Sequence, residues 1–178
     1  VGIGIFDLCS RQSGNSISVK RKKELTGRSW PNGCHVAEVE IDAETGEVRL
    51  DRYFSVDDVG NTVNPMIVHG QVQGGIASGL GQAVLERTEY DASGQLLSGS
   101  YMDYALPRAD DMPSLSGSLF EKAPCLTNPL GAKGAGEIGA VAGPPAIVHA
   151  VIDALAEKGI TQVDMPLQPQ KIWECLNC

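Results

Sequence analysis

One carboxylate, Glu137, stands in Gly131-Ala-Lys-Gly-Ala-Gly-Glu-Ile-Gly-Ala, with five glycines around it by Gly143 and Lys133 four residues before it. Glycine lets the backbone turn through positive φ and lets a bound group approach it closely. An acid held in such a loop is suited to act as a general base. In an apolar, glycine-walled setting, burial disfavours the charged carboxylate and makes it a proton acceptor near neutral pH. The amides of Gly134, Ala135 and Gly136 can donate to an anion or an oxygen ligand, as backbone nests do. Gly134-Ala-Gly-Glu-Ile-Gly139 also matches G-x-G-x-x-G, with Asp153 further on. A dinucleotide fingerprint, however, follows a buried strand and opens straight into a helix. Thr127-Asn-Pro-Leu-Gly-Ala-Lys cannot form a central strand, and the expected helix starts only at Pro144. Nicotinamide binding is rejected on both grounds, and no lysine–hydroxyl pair follows the glycines to make a nucleotide P-loop.

The elements that must position this loop are legible in the pattern. Val36-Ala-Glu-Val-Glu-Ile alternates apolar and acidic residues, Asp42-Ala-Glu-Thr-Gly-Glu reads as a turn, and Val48 to Val56 as the return strand, giving a β-hairpin with one wet face. Asn64-Pro65 supplies a helix cap and a first-turn proline. The predicted helix from Met66 to Glu86 holds Gly70, Gly74, Gly75, Gly79 and Gly81. Each glycine costs about 1 kcal/mol relative to alanine, so this helix must be buried with something pressed against its backbone. A second hairpin is expected over Leu96 to Tyr104 and a strand over Ser114 to Phe120. A helix is predicted over Pro144 to Glu157, ended by Gly159, and a short one over Pro169 to Cys175. The expected class is α+β, with hairpins packed on a buried glycine-rich helix and a second long helix. Residues 1–30 form an N-terminal segment of uncertain structure, and 31–178 the principal domain.

Composition excludes several function classes. The net charge of −8 argues against a nucleic-acid surface, and the one basic cluster, Lys20-Arg-Lys-Lys23, reads as a solvated face. No apolar run approaches the roughly 18 residues of a membrane helix. Five cysteines without regular spacing argue against a disulfide framework. Cys175 and Cys178 have metal-half-site spacing but no second pair. His35 and His69 lack partners at ligand spacing, His149 reads as structural, and Asp57-Asp58 as capping or pairing locally. No protein metal site is expected. The chain begins at Val1 and reads as a processed product or part of something longer.

Five ordered blocks carry a resemblance. They are Gly27-Arg-Ser-Trp-Pro-Asn-Gly-Cys-His-Val-Ala-Glu-Val-Glu-Ile-Asp, Val56-Asp-Asp-Val-Gly-Asn-Thr-Val-Asn-Pro, His69-Gly-Gln-Val-Gln-Gly-Gly-Ile-Ala, Met102-Asp-Tyr-Ala-Leu-Pro-Arg-Ala-Asp, and Thr127-Asn-Pro-Leu-Gly-Ala-Lys-Gly-Ala-Gly-Glu. From Gly27 to Asp164 the chain resembles the C-terminal part of the molybdopterin-binding large subunit of the xanthine dehydrogenase, aldehyde oxidase and carbon monoxide dehydrogenase superfamily. The resemblance implies a partial molybdenum-cofactor-binding domain. It implies that Glu137 is the base beside molybdenum, taking the proton of a water-derived hydroxyl as it attacks an electron-poor carbon. It implies that Gln71 hydrogen-bonds near metal and pterin, that Gly74 and Gly75 allow close approach, and that Gly134, Ala135 and Gly136 donate amides. Lys133 matches the family lysine, either touching cofactor or tying down the loop. Ser78 departs from the glutamine many relatives carry.

The implied cofactor is a molybdenum–pterin group, with a cytosine dinucleotide form suiting a bacterial-type sequence. Iron–sulfur and flavin groups would reside in partner domains or subunits. The implied partners are the remainder of the large subunit or a companion subunit, the iron–sulfur and flavin subunits, and a small-molecule substrate, an aldehyde or N-heteroaromatic. The implied location is cytoplasmic, with the periplasm as alternative. The competing class is a non-catalytic domain that keeps the fold as an assembly module, and on either reading the chain alone should be inactive.

Overall fold

The computed structural model of the chain describes residues 2–22, 24 and 27–177, so Lys23 of the basic cluster and Cys178 of the terminal thiol pair lie outside the described residues. Within the N-terminal segment, helix α1 (Ile5–Ser10) buries no residue.

Strands β1 (Asn32–Ile41) and β2 (Val48–Asp58) form the expected antiparallel hairpin. Its turn is built by Asp42, whose Oδ1 accepts from the amides of Glu44 and Thr45, and by Gly46 at φ 75°. A register shift sits between Glu38, opposite Arg52, and Val39, opposite Leu50. This bulge changes the parity of β2: the buried set passes from Val48 and Leu50 to Tyr53, Ser55 and Asp57. Without the extra residue, every side chain beyond it would turn to the other face. Strand β3 (Ser114–Leu119) lies on the other side of β2, giving the sheet order β1-β2-β3.

Helix α2 (Pro65–Leu80) starts as its sequence predicts, with Asn64 Oδ1 accepting from the Ile67 amide and proline in the first turn. It continues through a wider, π-type turn over Gly81–Leu85. The expected hairpin over Leu96 to Tyr104 does not form. Tyr90 and Leu96 make one isolated bridge, closed by Asp91, whose Oδ1 accepts from the amides of Ser93 and Gln95. Ser100 bonds Asp103 in the turn that follows. Short polar side chains here offer the backbone local partners that compete with a strand ladder. Strand β3 (Ser114–Leu119) pairs parallel to β2, from Arg52↔Ser114 to Asp57↔Leu119, so α2 lies in a crossover between parallel neighbours.

Helix α3 (Ile138–Ala154) starts six residues before the expected Pro144 and ends near the expected stop, with both prolines in its interior. Interior proline typically costs about 3 kcal/mol. The offset comes from α2. A Cβ placed at Gly79 would stand 2.9 Å from the Pro144 ring and 3.1 Å from Gly143 Cα, and one at Gly75 would stand 2.8 Å from the Ala140 nitrogen. A Cβ at Gly139 would overlap the Val72 carbonyl. Gly75 and Gly79 on one helix thus meet Gly139 and Gly143 on the other, backbone against backbone, with the Pro144 ring seated over Gly79. A turn at Ala156–Lys158 ends at Gly159, φ 74°, and helix α4 (Pro169–Asn177) closes the described chain against Gly46.

The core joins Leu50 and Tyr53 of the sheet to Val72, Ile76 and Leu80 of α2, Ile147 and Val151 of α3, and Leu167 and Ile172 near the C-terminal end. The α+β expectation holds. Gly139→Ala and Gly74→Ala form a matched test of the helix crossing, because a Cβ at Gly74 would meet nothing within 4 Å. Gly139→Ala is expected to destabilise by about 1–3 kcal/mol and Gly74→Ala to stabilise by about 1 kcal/mol. Thermal unfolding of the two variants measures the difference; shifts of the same sign and size would show that the crossing is not a tight constraint.

Candidate active site

The glycine loop is fastened at one end and bare at its centre. The Lys133 amide donates to the Val59 carbonyl (2.7 Å), and the Asn61 and Cys125 amides both donate to the Gly131 carbonyl, at 2.9 and 2.8 Å. Gly131 takes φ 68° to present that carbonyl. Asn128 Nδ2 donates to Ala132 O, and Asn61 Nδ2 to Leu130 O, each at 2.9 Å. Lys133 Nζ stands 2.5 Å from Asp58 Oδ2, with both side chains only 11% exposed. By contrast, Cβ atoms at Gly134 and Gly136 would meet nothing within 4 Å. Residue 137 then caps α3, its carboxylate unbonded to the helix.

Glu137 is exposed and lines a cleft of about 580 Å³ together with Gly134, Ala135, Gly136, Ile138 and Val141 on one side and Trp30, Pro31, Asn32, Gly33 and His35 on the other. The sequence expectation of a carboxylate enclosed in an apolar site is not met by this chain's residues alone, because Trp30 (68% exposed) and Val141 (72%) leave the cleft open. A smaller hollow of about 280 Å³, lined by Val59, Thr62, Ile67, Lys133 and Ala135 among others, lies beside the start of α2. Gln71 lies one turn beyond Ile67 and is exposed, as is Gly74. Gly75 packs on α3. The structure therefore brings Glu137, Gly134, Ala135 and Gly136 into one cleft, places Gln71 and Gly74 on the open surface of α2, and directs Gly75 and Lys133 into contacts within the fold. His149 and Ser78 are exposed on their helices. The helix does open directly after Gly134-Ala-Gly-Glu, correcting one ground on which a dinucleotide site was rejected. The other ground stands, since an isolated bridge at Ala132, not a strand, precedes it.

Behind the cleft lies a polar chain that sequence reasoning missed. His35 Nε2 stands 2.9 Å from Asp57 Oδ1, and Nδ1 stands 2.9 Å from the Tyr53 hydroxyl. The His35 and Asp57 side chains are 2% and 1% exposed. Burial, with the negative charge of Asp57, pushes the Tyr53 phenol well up, so it stays protonated beside the His35 ring, which bridges it to the Asp57 carboxyl. Gly33 makes room: a Cβ there would stand 2.7 Å from Asp57 Oδ1. The signal was the two-residue strand period, which puts Gly33, His35, Tyr53 and Asp57 on one sheet face. Asp57 and Asp58 thus do pair, with partners distant in sequence. Among the described residues no group of three His, Cys, Asp or Glu side chains could hold a metal ion.

Three comparisons give this geometry a lineage. The family model for the molybdopterin cofactor-binding domain matches residues 10–113, more than half of the chain, and the protein belongs to that family. It is 37% identical over 149 residues to the carbon monoxide dehydrogenase large chain of Hydrogenophaga pseudoflava, covering 84% of this chain and 18% of that one. It is 38% identical over 143 residues to the nicotine 6-hydroxylase large subunit of Paenarthrobacter nicotinovorans, covering 80% and 17%. Among solved structures, quinoline 2-oxidoreductase from Pseudomonas putida 86 superposes with a TM-score of 0.79 at 41% identity, over 83% of this chain and 19% of that one. The chain spans less than a fifth of the length of these relatives. It is a partial molybdenum-binding large-subunit domain.

The latch has a pH signature. Burial alone would raise the Asp58 carboxyl, but the hydrogen bonds from Lys133 and the Gly60 amide, with the lysine charge, hold it below its ordinary 3.8. A group whose folded value is depressed contributes stability in full above 3.8, and the contribution is lost as pH falls through the folded value. Denaturant midpoints at pH 6 and pH 3 are expected to fall further in the wild type than in Asp58→Asn; an equal fall would remove Asp58 from the acid response.

Proposed function

We propose that this chain is the segment of a molybdenum hydroxylase large subunit that supplies the active-site base, Glu137. The observation that carries the reading is the position of that carboxylate: among the described residues the one acid lining the cleft, at the start of a half-buried helix, beside two glycines on which nothing packs. The fit to a molybdenum–pterin group is chemical. A large flat heteroaromatic with anionic substituents asks for bare amides, a carboxamide and apolar walls, and Gly134, Ala135, Gly136, Gln71, Trp30 and Val141 offer these. Gly74 leaves the α2 surface open, while Gly75 and Lys133 support the site from within the fold.

When bound, that group supplies the two-electron oxidation of a carbon centre with oxygen drawn from water. The work of this chain is proton handling and orientation. A Glu137 carboxylate oxygen accepts the proton released as the water-derived oxygen attacks carbon. Amides of Gly134 to Gly136 hold polar edges in place, and the Gln71 amide both donates and accepts. The walls that complete the cleft and exclude water belong, on this reading, to the rest of the large subunit, so that the carboxylate becomes enclosed only on assembly.

The substrate class is an aldehyde or N-heteroaromatic compound. Two of the relatives are named for nicotine and quinoline, which favours the heteroaromatic. We assign the pterin to the cytosine dinucleotide form, iron–sulfur and flavin groups to partner subunits, and the assembly to the cytoplasm. No helix of the described residues is long and apolar enough to cross a membrane.

In the assembled enzyme, Glu137→Gln should lower turnover by 10²–10⁴-fold, the range of a positioned base, with molybdenum content unchanged. Turnover within tenfold of wild type would remove Glu137 from the base role and favour the assembly-module reading. Protein isolated from its host should contain molybdenum and pterin in equal amounts together with co-purifying chains. A chain of 18.8 kDa free of both would count against the proposal and favour the assembly-module reading.

A further inference from the structure

The loop that carries Glu137 is an arch between two fixed points. Its far foot is Ile138 and Gly139, held because Gly139 lies against the Val72 carbonyl of α2. Its near foot is Lys133, whose amide bonds Val59 O and whose ammonium bonds Asp58, while Gly60 at φ 66° lies against the Gly131 carbonyl and the lysine stem. Between the feet lie only Gly134, Ala135, Gly136 and Glu137 itself, and a Cβ at either glycine would meet nothing within 4 Å. The Lys133 ammonium is already committed, 2.5 Å from a carboxylate and largely out of solvent.

We propose that Lys133 is a positioning residue, which acts through its ion pair with Asp58 to hold the near foot of the arch and so fix the Glu137 carboxylate over the cleft. This rests on the reading of Glu137 as the base. Lys133 contributes no direct contact to the cofactor. Removing either partner leaves the near foot held only by its backbone bond to Val59, and leaves the other charge unpaired in a half-dry site. The base then samples several positions, and a displacement of about 1 Å can cost on the order of 10²-fold in rate.

The test uses the full molybdenum enzyme with Lys133→Met, Asp58→Asn, the double variant and Lys133→Arg. If the two residues act as a pair, each single variant loses about 10²-fold in kcat with KM and pterin content kept. The double variant then loses about the same rather than the product of the two, and Lys133→Arg recovers most of the rate. Amide exchange over residues 131–137 should speed up in the Met and Asn variants alike. Loss of pterin in Lys133→Met but not in Asp58→Asn would overturn the proposal in favour of direct cofactor contact. Multiplicative losses, or unchanged exchange, would overturn it as well. If the Met variant fails to assemble, the Arg variant decides: a loss beyond tenfold with the ion pair's charge retained counts against a positioning role. The exchange measurement does not depend on Glu137, so a failed base assignment and a failed latch give different results.

Discussion

The structure depends on a crossing of two helices at backbone distance. Gly75 and Gly79 of α2 face Gly139 and Gly143 of α3 so closely that a Cβ at three of the four positions would stand within 3.0 Å of the opposite helix. Close approach removes side-chain volume and replaces it with many short dispersion contacts, each worth about 0.1–0.2 kcal/mol. It also explains two otherwise unfavourable choices. Glycine in a helix interior and proline in a helix interior are each costly alone, yet here the groove left by Gly79 receives the Pro144 ring. Because Gly139 is the second residue of α3, the crossing sets where that helix begins, and with it the position of Glu137 one residue earlier.

A second organising element is the end of β2. The bulge opposite Glu38 and Val39 turns Tyr53, Ser55 and Asp57 inward. Consecutive carboxylates then go to different tasks: Asp57 closes the buried chain with His35 and Tyr53, and Asp58 reaches the glycine loop. A buried carboxylate without a partner is costly, so each acid requires the partner it has. The sheet and the loop are therefore joined through one strand end, and the cleft forms between what the two aspartates hold.

Much of this was legible in the sequence, for identifiable reasons. The β1–β2 hairpin follows from strict alternation around an Asp-initiated turn, and α2 from its cap and apolar spacing. The glycine content of α2 correctly demanded a close neighbour, but did not say which, and α3 was the answer. The start of α3 was misjudged because proline is ordinarily a first-turn residue, and only the partner helix makes an interior pair tolerable. The 96–104 segment was misjudged because its alternation competes with Asp91 and Ser100 side chains that satisfy the backbone locally. Asp58 does cap locally, accepting from the Gly60 amide, but the side-chain partners of Asp57 and Asp58 lie 22 and 75 residues away, beyond the reach of local pattern. The exposed state of Glu137 was not legible, since the exposure of a loop side chain depends on tertiary packing that glycine content does not report.

The arch over Gly134 to Gly136 has a thermodynamic consequence. A free glycine-rich loop loses about 1–2 kcal/mol of backbone entropy per residue when a ligand orders it, and glycine loses more than any other residue. With Lys133 and Ile138 already anchored by folding, most of that loss is incurred before any ligand arrives, and only the four residues between them remain to be ordered. The segment can keep the bareness of glycine, which amide donation requires, without the weak binding that floppy donors bring. On the proposed reading, folding energy stored in the helix crossing and the Lys133–Asp58 ion pair would thus be converted into affinity at a surface that neither of them touches.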